Sequence, residues 1–143
     1  MGYHLGMEPW VQALLGSARR GALATLSPDG RPQAVPVCFA LCEGAVVTPI
    51  DEKPKSGRPL GRLRNIARNP RVCLLVDHWD EDWSALAWVR VEGSARVLAR
   101  GDAHPAALAA LREKYPQYRT MALEERPLIV IDAEHIVAWR AVP

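Results

Sequence analysis

Residues 21–50 of the chain, GALATLSPDGRPQAVPVCFALCEGAVVTPI, contain three runs of strand-forming residues separated by two short turns. In the first turn, residues 28–32, the proline and aspartate pre-shape a tight bend and Gly30 accepts a positive φ. The second turn, Glu43-Gly44, is equally short. Strands joined by turns this short pair antiparallel, because a parallel pair needs a crossover of a dozen or more residues. The stretch therefore predicts an antiparallel meander with strands at 21–27, 33–42 and 45–50.

The spacing of apolar residues predicts the remaining elements. Apolar side chains recur every three or four positions in three segments, which is typical of amphipathic helices: residues 9–20, 60–69 and 102–115. We expect Asp102 to cap the last of these helices. Further strands are predicted at 71–77, 84–99 and 127–139. The chain is thus expected to be a single all-β-dominated domain over residues 1–143, with about six antiparallel strands and two to three short helices. Closure into a barrel would remove the exposed edges of such a sheet.

The second strand lacks a charged residue on either face. One face carries Val35, Val37, Phe39 and Leu41, and the other carries Ala34, Pro36, Cys38 and Ala40. A strand without a polar face is covered on both sides. We therefore expect the barrel interior on one side of this strand and a second body on the other.

Composition excludes several classes of protein. Hydrophobic residues make up 49% and charged residues 24% of the 143 positions, which is typical of a globular domain. No apolar run is long enough to span a membrane, and residues 1–10 lack the pattern of a secretory signal. The three cysteines, Cys38, Cys42 and Cys73, have no CxxC spacing and are expected to be buried, reduced thiols. These features predict a cytoplasmic protein without a membrane span.

Positive charge is concentrated in the loop after the third strand and along the predicted second helix. Seven basic residues lie in this region: Lys53, Lys55, Arg58, Arg62, Arg64, Arg68 and Arg71. A loop that leads into a helix N-terminus offers free backbone N–H groups to an anion, and Lys and Arg add charge-assisted hydrogen bonds. The first four residues cluster in the loop and the first helical turn, so we predict that they bind a phosphate. The last three are explained as well by a solvated surface.

Other chemistries find less support in the sequence. No aromatic residue interleaves with the basic run, so we expect no nucleic-acid partner. No serine has a Gly-x-Ser-x-Gly context, and no histidine pair has zinc-ligand spacing. The acidic residues that follow Asp77-His78 are expected to decorate a turn. The sequence therefore predicts no metal site and leaves the catalytic residues unassigned.

Several segments, in order along the chain, carry a family resemblance. They are RGALATL from Arg20, GRPQAVPV from Gly30, KPK from Lys53, LRNI from Leu63 and NPRVCLLVD from Asn69. Together they resemble the pyridoxamine 5'-phosphate oxidase-like superfamily of flavin and deazaflavin oxidoreductases. Two further segments, DHWDEDWS from Asp77 and WVRVEGSARV from Trp88, resemble the branch assigned to coenzyme F420, a deazaflavin.

The resemblance implies a split β-barrel of the FMN-binding type, assembled as a homodimer with coenzyme sites at the subunit interface. It places the coenzyme phosphate near Lys53, Lys55, Arg58 and Arg62, with Thr48 at the end of the preceding strand. It places the ring system against Val35, Pro36 and Val37. It also implies that Trp83 and Trp88 close the pocket from the partner chain.

The choice of coenzyme rests on the extent of the basic run and on the resemblance to the F420 branch. F420 carries a phosphodiester and a polyanionic glutamate tail, whereas FMN presents one phosphate. Seven basic residues exceed what one phosphate needs, so F420 is favoured and FMN is the alternative. The expected activity is hydride transfer between the coenzyme and a small conjugated substrate. A non-catalytic flavin or deazaflavin carrier is the remaining alternative.

Overall fold

A computed structural model of the chain describes residues 7–51, 60–102 and 104–143. Within these ranges, seven strands form one antiparallel sheet in the order β2-β1-β5-β6-β7-β4-β3. The strands are β1 Gly21–Leu26, β2 Pro32–Val37, β3 Ala40–Cys42, β4 Ala45–Pro49, β5 Arg71–His78, β6 Ala87–Leu98 and β7 Leu128–Arg140. The α-helices are α1 Pro9–Ser17, α2 Gly61–Arg68 and α3 Pro105–Lys114. Short 3-10 turns lie at Trp83–Ala85, Pro116–Thr120 and Leu123–Glu125.

The predicted second strand is divided into two, which raises the number of strands from about six to seven. β2 pairs with β1, whereas β3 pairs with β4, and Cys38 and Phe39 lie between them. The backbone N–H of Phe39 donates to the Tyr115 hydroxyl at 3.1 Å. Because this N–H is bonded to a side chain, it takes no part in a strand ladder. The chain turns a corner at this point.

This corner is where the sheet closes on itself. β2 and β3 are the two outermost strands of the sheet, yet only two residues separate them in the chain. The opposite edges of the sheet therefore meet at the corner, and the sheet must coil. No β2–β3 ladder is found in the described ranges, so the barrel is split here. The predicted fold class, an all-β-dominated split barrel, is confirmed.

Two hydrophobic clusters hold the barrel together. The inner cluster fills the barrel with side chains such as Leu23, Leu74 and Ile129, and α1 and α2 add to it through Val11, Leu15 and Ile66. The outer cluster packs α3 on Ala40, Val47, Leu128 and Val130 of β3, β4 and β7. None of the helices in the described ranges has the length and apolar character of a membrane span.

The outer face of β2, β1 and β5 is open to solvent in the single chain. The strand registers align Pro36, Ala22 and Leu75 in one row across these strands. All three side chains are exposed, Leu75 to 43%. β2 itself is exposed from Pro32 to Pro36. The expectation that this strand is covered on both sides is therefore not met within one chain.

Three element boundaries differ from the sequence prediction by three residues each. α1 ends at Ser17 rather than at residue 20. α3 begins at Pro105, and its cap is His104 rather than Asp102, since Nδ1 of His104 accepts the N–H of Ala106 at 3.2 Å. The strand predicted from residue 84 begins at Ala87, because Asp82 caps a 3-10 turn by accepting the N–H of Ser84 at 3.1 Å.

A β-bulge between Glu92 and Gly93 makes one glycine indispensable. The register of β6 against β7 shifts there, and Gly93 pairs with Ala133. A Cβ at Gly93 would lie 2.1 Å from the backbone oxygen of Asp132, which no side chain can accept without backbone movement.

We expect Gly93→Ala to lower the free energy of unfolding by about 3 kcal/mol, as severe overpacking does. The matched control is Gly16→Ala, where no atom lies within 4 Å of the added Cβ. Because Gly16 is helical, this control should gain about 0.5 kcal/mol. Urea denaturation of both variants measures the effects, and equal stability of the two would contradict the close approach at the bulge.

Candidate functional site

A small cavity lies beside the corner that follows β2, next to the end of β4. It has a volume of about 160 Å³ and is called the corner cavity here; its walls are formed by Arg20, Pro36, Val37, Cys38, Pro49, Asp51 and Arg62. β2 and the residue after it supply the apolar wall. Arg20 directly precedes β1, and Arg62 lies in the first turn of α2. Two guanidinium groups and one carboxylate thus meet at the end of an apolar strand.

A groove continues from this cavity onto the outer face of the sheet. It has a volume of about 310 Å³ and is called the outer groove; it is lined by Arg20, Gly21, Ala22, Ala34, Val35, Pro36, Leu75 and Asp77. Arg20 and Pro36 line both spaces, so the two are neighbours. The combined shape is a cationic pocket that opens onto a largely apolar surface.

A buried amide fixes the first turn of α2 beside the cavity. The Asn65 side chain is 5% exposed. Its Nδ2 donates to Thr25 Oγ1 at 2.9 Å and to Gln33 Oε1 at 2.8 Å, and its Oδ1 accepts Nη2 of Arg68 at 2.9 Å. These bonds tie α2 to β1 and β2. Arg62 is thereby held close to the wall that β2 provides.

A larger cavity adjoins the corner cavity on its other side. It has a volume of about 470 Å³ and is called the tyrosine cavity; it is lined by Arg19, Cys38, Asp51, Tyr115, Gln117, Tyr118 and Met121. Cys38 and Asp51 line both cavities. The Tyr118 hydroxyl donates to Oδ2 of Asp51 at 2.5 Å. The Asp51 carboxylate therefore forms the boundary between the two spaces and is bound from the tyrosine side.

Burial shifts the ionisation of three groups around the tyrosine cavity. It raises the pKa of the Tyr118 phenol, and the hydrogen bond to Asp51 raises it further. Burial also raises the pKa of Tyr115, so both hydroxyls remain protonated donors. Desolvation, followed by repulsion from Arg19, lowers the pKa of Lys114 from 10.5 to about 8. The Lys114 ammonium donates to the Leu15 carbonyl at 3.1 Å and lies 3.9 Å from the centre of the Phe39 ring.

The structure brings part of the predicted site together. Pro36, Val37 and Arg62 line the corner cavity, and Val35 lines the outer groove. Thr48 is 1% exposed and pairs with Ile129 of the inner cluster, so it faces the barrel interior rather than the corner cavity. Its role as a coenzyme ligand stays a prediction.

Three of the predicted phosphate ligands, Lys53, Lys55 and Arg58, lie outside the described residues. Asp51, directly before this segment, and Arg62, shortly after it, line the same cavity. The role of these three residues as phosphate ligands stays a prediction.

Neither of the two tryptophans predicted to act from a partner chain lines the corner cavity, the outer groove or the tyrosine cavity. Trp83 sits in a 3-10 turn and is 68% exposed. Trp88 is half-buried on β6, opposite Asp77 and Trp139, and its ring lies 5.7 Å from the Arg90 guanidinium. A contact of either ring with a second subunit stays a prediction.

Sequence reasoning missed Arg20, Asp51 and Tyr118 as site residues. Arg20 follows a helix and precedes a strand, and nothing in its local pattern marks it as lining a cavity. Tyr118 lies in a 3-10 turn with no repeating spacing. Its contact with Asp51 joins residues 67 positions apart, which no local motif encodes.

One group of potential metal ligands occurs in the described ranges. Cys42, Glu43 and His104 have ligand atoms within 4.8 Å of one another. However, His104 Nδ1 accepts the N–H of Ala106, so a neutral imidazole carries its proton on Nε2, the nitrogen 4.0 Å from the Glu43 carboxylate. A metal on Nε2 would require the opposite tautomer. The arrangement is explained by helix capping and a polar contact between His104 and Glu43.

The fold and the cavities define a split barrel with a cationic corner. Residues 7–140 match the family model of pyridoxamine 5'-phosphate oxidase, so the chain belongs to this family. The resemblance drawn from the sequence is thereby confirmed at the level of the family.

One relative has a described reaction. The chain is 35% identical over 85 residues to the 5a,11a-dehydrotetracycline/5a,11a-dehydrooxytetracycline reductase of Streptomyces rimosus. The match covers 57% of this chain and 56% of that protein, so the chain spans about half the length of this relative.

Solved structures share the fold. A conserved hypothetical protein from Mycobacterium tuberculosis superposes with a TM-score of 0.72 at 25% identity, covering 94% of this chain and 85% of its own. An F420 reductase superposes with a TM-score of 0.62 at 24% identity, covering 88% of this chain and 94% of its own. At that identity the second likeness supports the fold alone.

The lowered pKa of Lys114 predicts a pH dependence of stability. Between about pH 8 and 10.5, the unfolded chain binds a proton that the folded chain has released. The free energy of unfolding should therefore rise with pH in this window. In Lys114→Met this contribution is absent, so the stability of the wild type relative to the variant should increase from pH 7.5 to 9.5. Urea denaturation across this range measures the difference; parallel curves would contradict it.

Proposed function

We propose that this protein is an oxidoreductase that binds coenzyme F420 across the corner cavity and the outer groove. The proposal rests on one observation: Arg20 and Arg62 line the same cavity as the end of the exposed, uncharged strand β2. Cations suit the anionic end of the coenzyme, and an apolar strand suits a flat ring system. The donor set at the corner therefore fits a phosphorylated flavin or deazaflavin.

The anionic end of the coenzyme would bind Arg62 together with Lys53, Lys55 and Arg58. Arg62 is held beside the cavity by the Asn65 bonds to β1 and β2. Arg20 adds a second guanidinium from the start of β1. Arginine can grip a phosphate through two parallel hydrogen bonds, which fixes orientation as well as charge.

The ring end would lie against Val35, Pro36 and Val37. Pro36 has no backbone N–H, so the exposed edge of β2 loses one polar group where the ring would rest. When bound, the coenzyme supplies the hydride chemistry, and the protein orients it and limits access of water. The role of this chain is thus to bind and position rather than to supply the reactive atom.

F420 is proposed over FMN for two reasons. Four basic residues, Lys53, Lys55, Arg58 and Arg62, lie in the predicted loop and the first turn of α2, which matches an extended anion better than a single phosphate. Among proteins of similar fold, one is named an F420 reductase. FMN binding by the same site, and a carrier role without turnover, are the alternatives.

The substrate is proposed to be a small conjugated compound. The Streptomyces rimosus relative is named for the reduction of dehydrotetracyclines. Reduction of a double bond in a conjugated ring system is the type of reaction that a hydride-donating coenzyme serves.

Titration of both coenzymes tests the proposal. F420 should bind more tightly than FMN, and Lys55→Ala should weaken F420 by roughly tenfold, the value of one hydrogen bond to a charged group. Arg71→Ala is the matched control, because it also removes one positive charge but lies exposed at the start of β5. Equal, weak binding of both coenzymes would contradict the proposal. Turnover of a conjugated enone with reduced F420 separates an enzyme from a carrier.

We also propose that the protein is a homodimer and that its partner covers the outer face of the sheet. Leu75 and Trp139 are 43% and 45% exposed on this face. Asp77, Trp88 and Trp139 form one row across β5, β6 and β7. A continuous exposed face of this kind, with large apolar side chains, is typical of an interaction surface.

Leu75→Glu should convert the dimer to a monomer, because it places a charge in the proposed interface. Val97→Glu is the matched control, since Val97 is similarly exposed, at 37%, near the end of β6 where the strand pairs with the start of β7. Light scattering after size exclusion gives the molar masses. A monomeric wild type, or a dimer that survives Leu75→Glu, would contradict this interface.

A further inference from the structure

The corner cavity contains a feature that opposes anion binding. Asp51 lines it together with Arg20 and Arg62. A carboxylate repels a phosphate and attracts the same guanidinium groups that a phosphate would use. The cavity can bind an anion well only if this carboxylate is bound elsewhere.

Tyr118 provides that alternative contact. Its hydroxyl donates to Oδ2 of Asp51 at 2.5 Å from the side of the tyrosine cavity. A hydrogen bond to an ionised acceptor is stronger than a neutral one. Because burial raises the pKa of Tyr118, its hydroxyl remains a donor throughout the physiological range.

The position of the Tyr118 hydroxyl is fixed by its surroundings. The residue is 3% exposed and belongs to the outer cluster beneath α3. Its ring lies 5.3 Å from the ring of Tyr115. The Tyr115 hydroxyl in turn accepts the N–H of Phe39 at 3.1 Å and donates to the Arg19 carbonyl at 3.0 Å. Tyr118 is thus a rigid anchor for Asp51, built on the corner between β2 and β3.

We propose that Tyr118 is a positioning residue for anion binding: by holding the Asp51 carboxylate toward the tyrosine cavity, it keeps the corner cavity electropositive. The identity of the anion as a coenzyme rests on the proposed function, whereas the effect applies to any phosphate bound there.

The proposal predicts a specific coupling between two substitutions. In Tyr118→Phe the carboxylate loses its donor and competes with the anion for Arg20 and Arg62, so the Kd should rise by roughly tenfold. In Asp51→Asn the competing charge is absent, and the Kd should be equal to or lower than that of the wild type. In the double variant Tyr118→Phe/Asp51→Asn, removal of the hydroxyl should have no further effect on the Kd.

The experiment is a titration of the four proteins with inorganic phosphate, FMN and F420. Ser27→Ala is the matched control, because it also removes a hydroxyl that donates to a carboxylate, that of Asp29, outside the corner cavity. It should lower the stability and leave the Kd unchanged. Urea denaturation of each variant separates folding from binding.

The outcomes distinguish this inference from the proposed function. An unchanged Kd in Tyr118→Phe overturns the inference, as does a rise of the same size whether the substitution is made in the wild type or in the Asp51→Asn variant. If the wild type binds phosphate but neither coenzyme, the proposed function fails, and the phosphate series alone decides the role of Tyr118. A wild type that binds none of the three anions overturns both.

Discussion

The hydrogen bond between the Tyr115 hydroxyl and the backbone N–H of Phe39 is the constraint on which the rest of the site depends. It occupies the N–H at the point where a continuous strand would otherwise run from β2 into β3. The chain turns there, and β2 and β3 become opposite edges of one sheet. Cys38, directly before Phe39, consequently lines both the corner cavity and the tyrosine cavity. A single buried phenol is thus bonded to the backbone at the corner where the barrel splits and where the two cavities adjoin.

Positive charge reaches the corner from separate elements rather than from one motif. Arg20 arrives from the start of β1 and Arg62 from the first turn of α2. The buried Asn65 amide binds β1 and β2 together with α2, so the relative positions of these elements do not depend on the charged side chains themselves. Both cations therefore line one cavity, because packing and the hydrogen bonds of Asn65 fix the elements that carry them.

The sequence predicts the strands well because most of them are defined locally. The PDGRP turn and the Glu43-Gly44 turn set the meander, and alternation locates β6 to within a few residues. The break at Phe39 is not predictable in this way, since it is caused by a tyrosine 76 positions away. Long-range contacts also limit what the sequence predicts of the candidate site. Arg62, Pro36 and Val37 were predicted from charge and family resemblance. Asp51 and Tyr118 meet only in the folded chain. The cap at His104 was missed because a histidine ring here serves in place of the usual aspartate.

The exposure of β2 follows from its position at one edge of the split sheet. An uncharged strand at a sheet edge is an unstable arrangement unless something covers it, because its backbone groups and apolar side chains both face water. In this chain the inner-face residue Val35 and the outer-face residue Pro36 are both exposed. The proposed coenzyme and the proposed partner would each cover part of this strand. The open surface along β2 places an apolar wall next to the cationic corner cavity. In the proposed complex, one ligand would contact both.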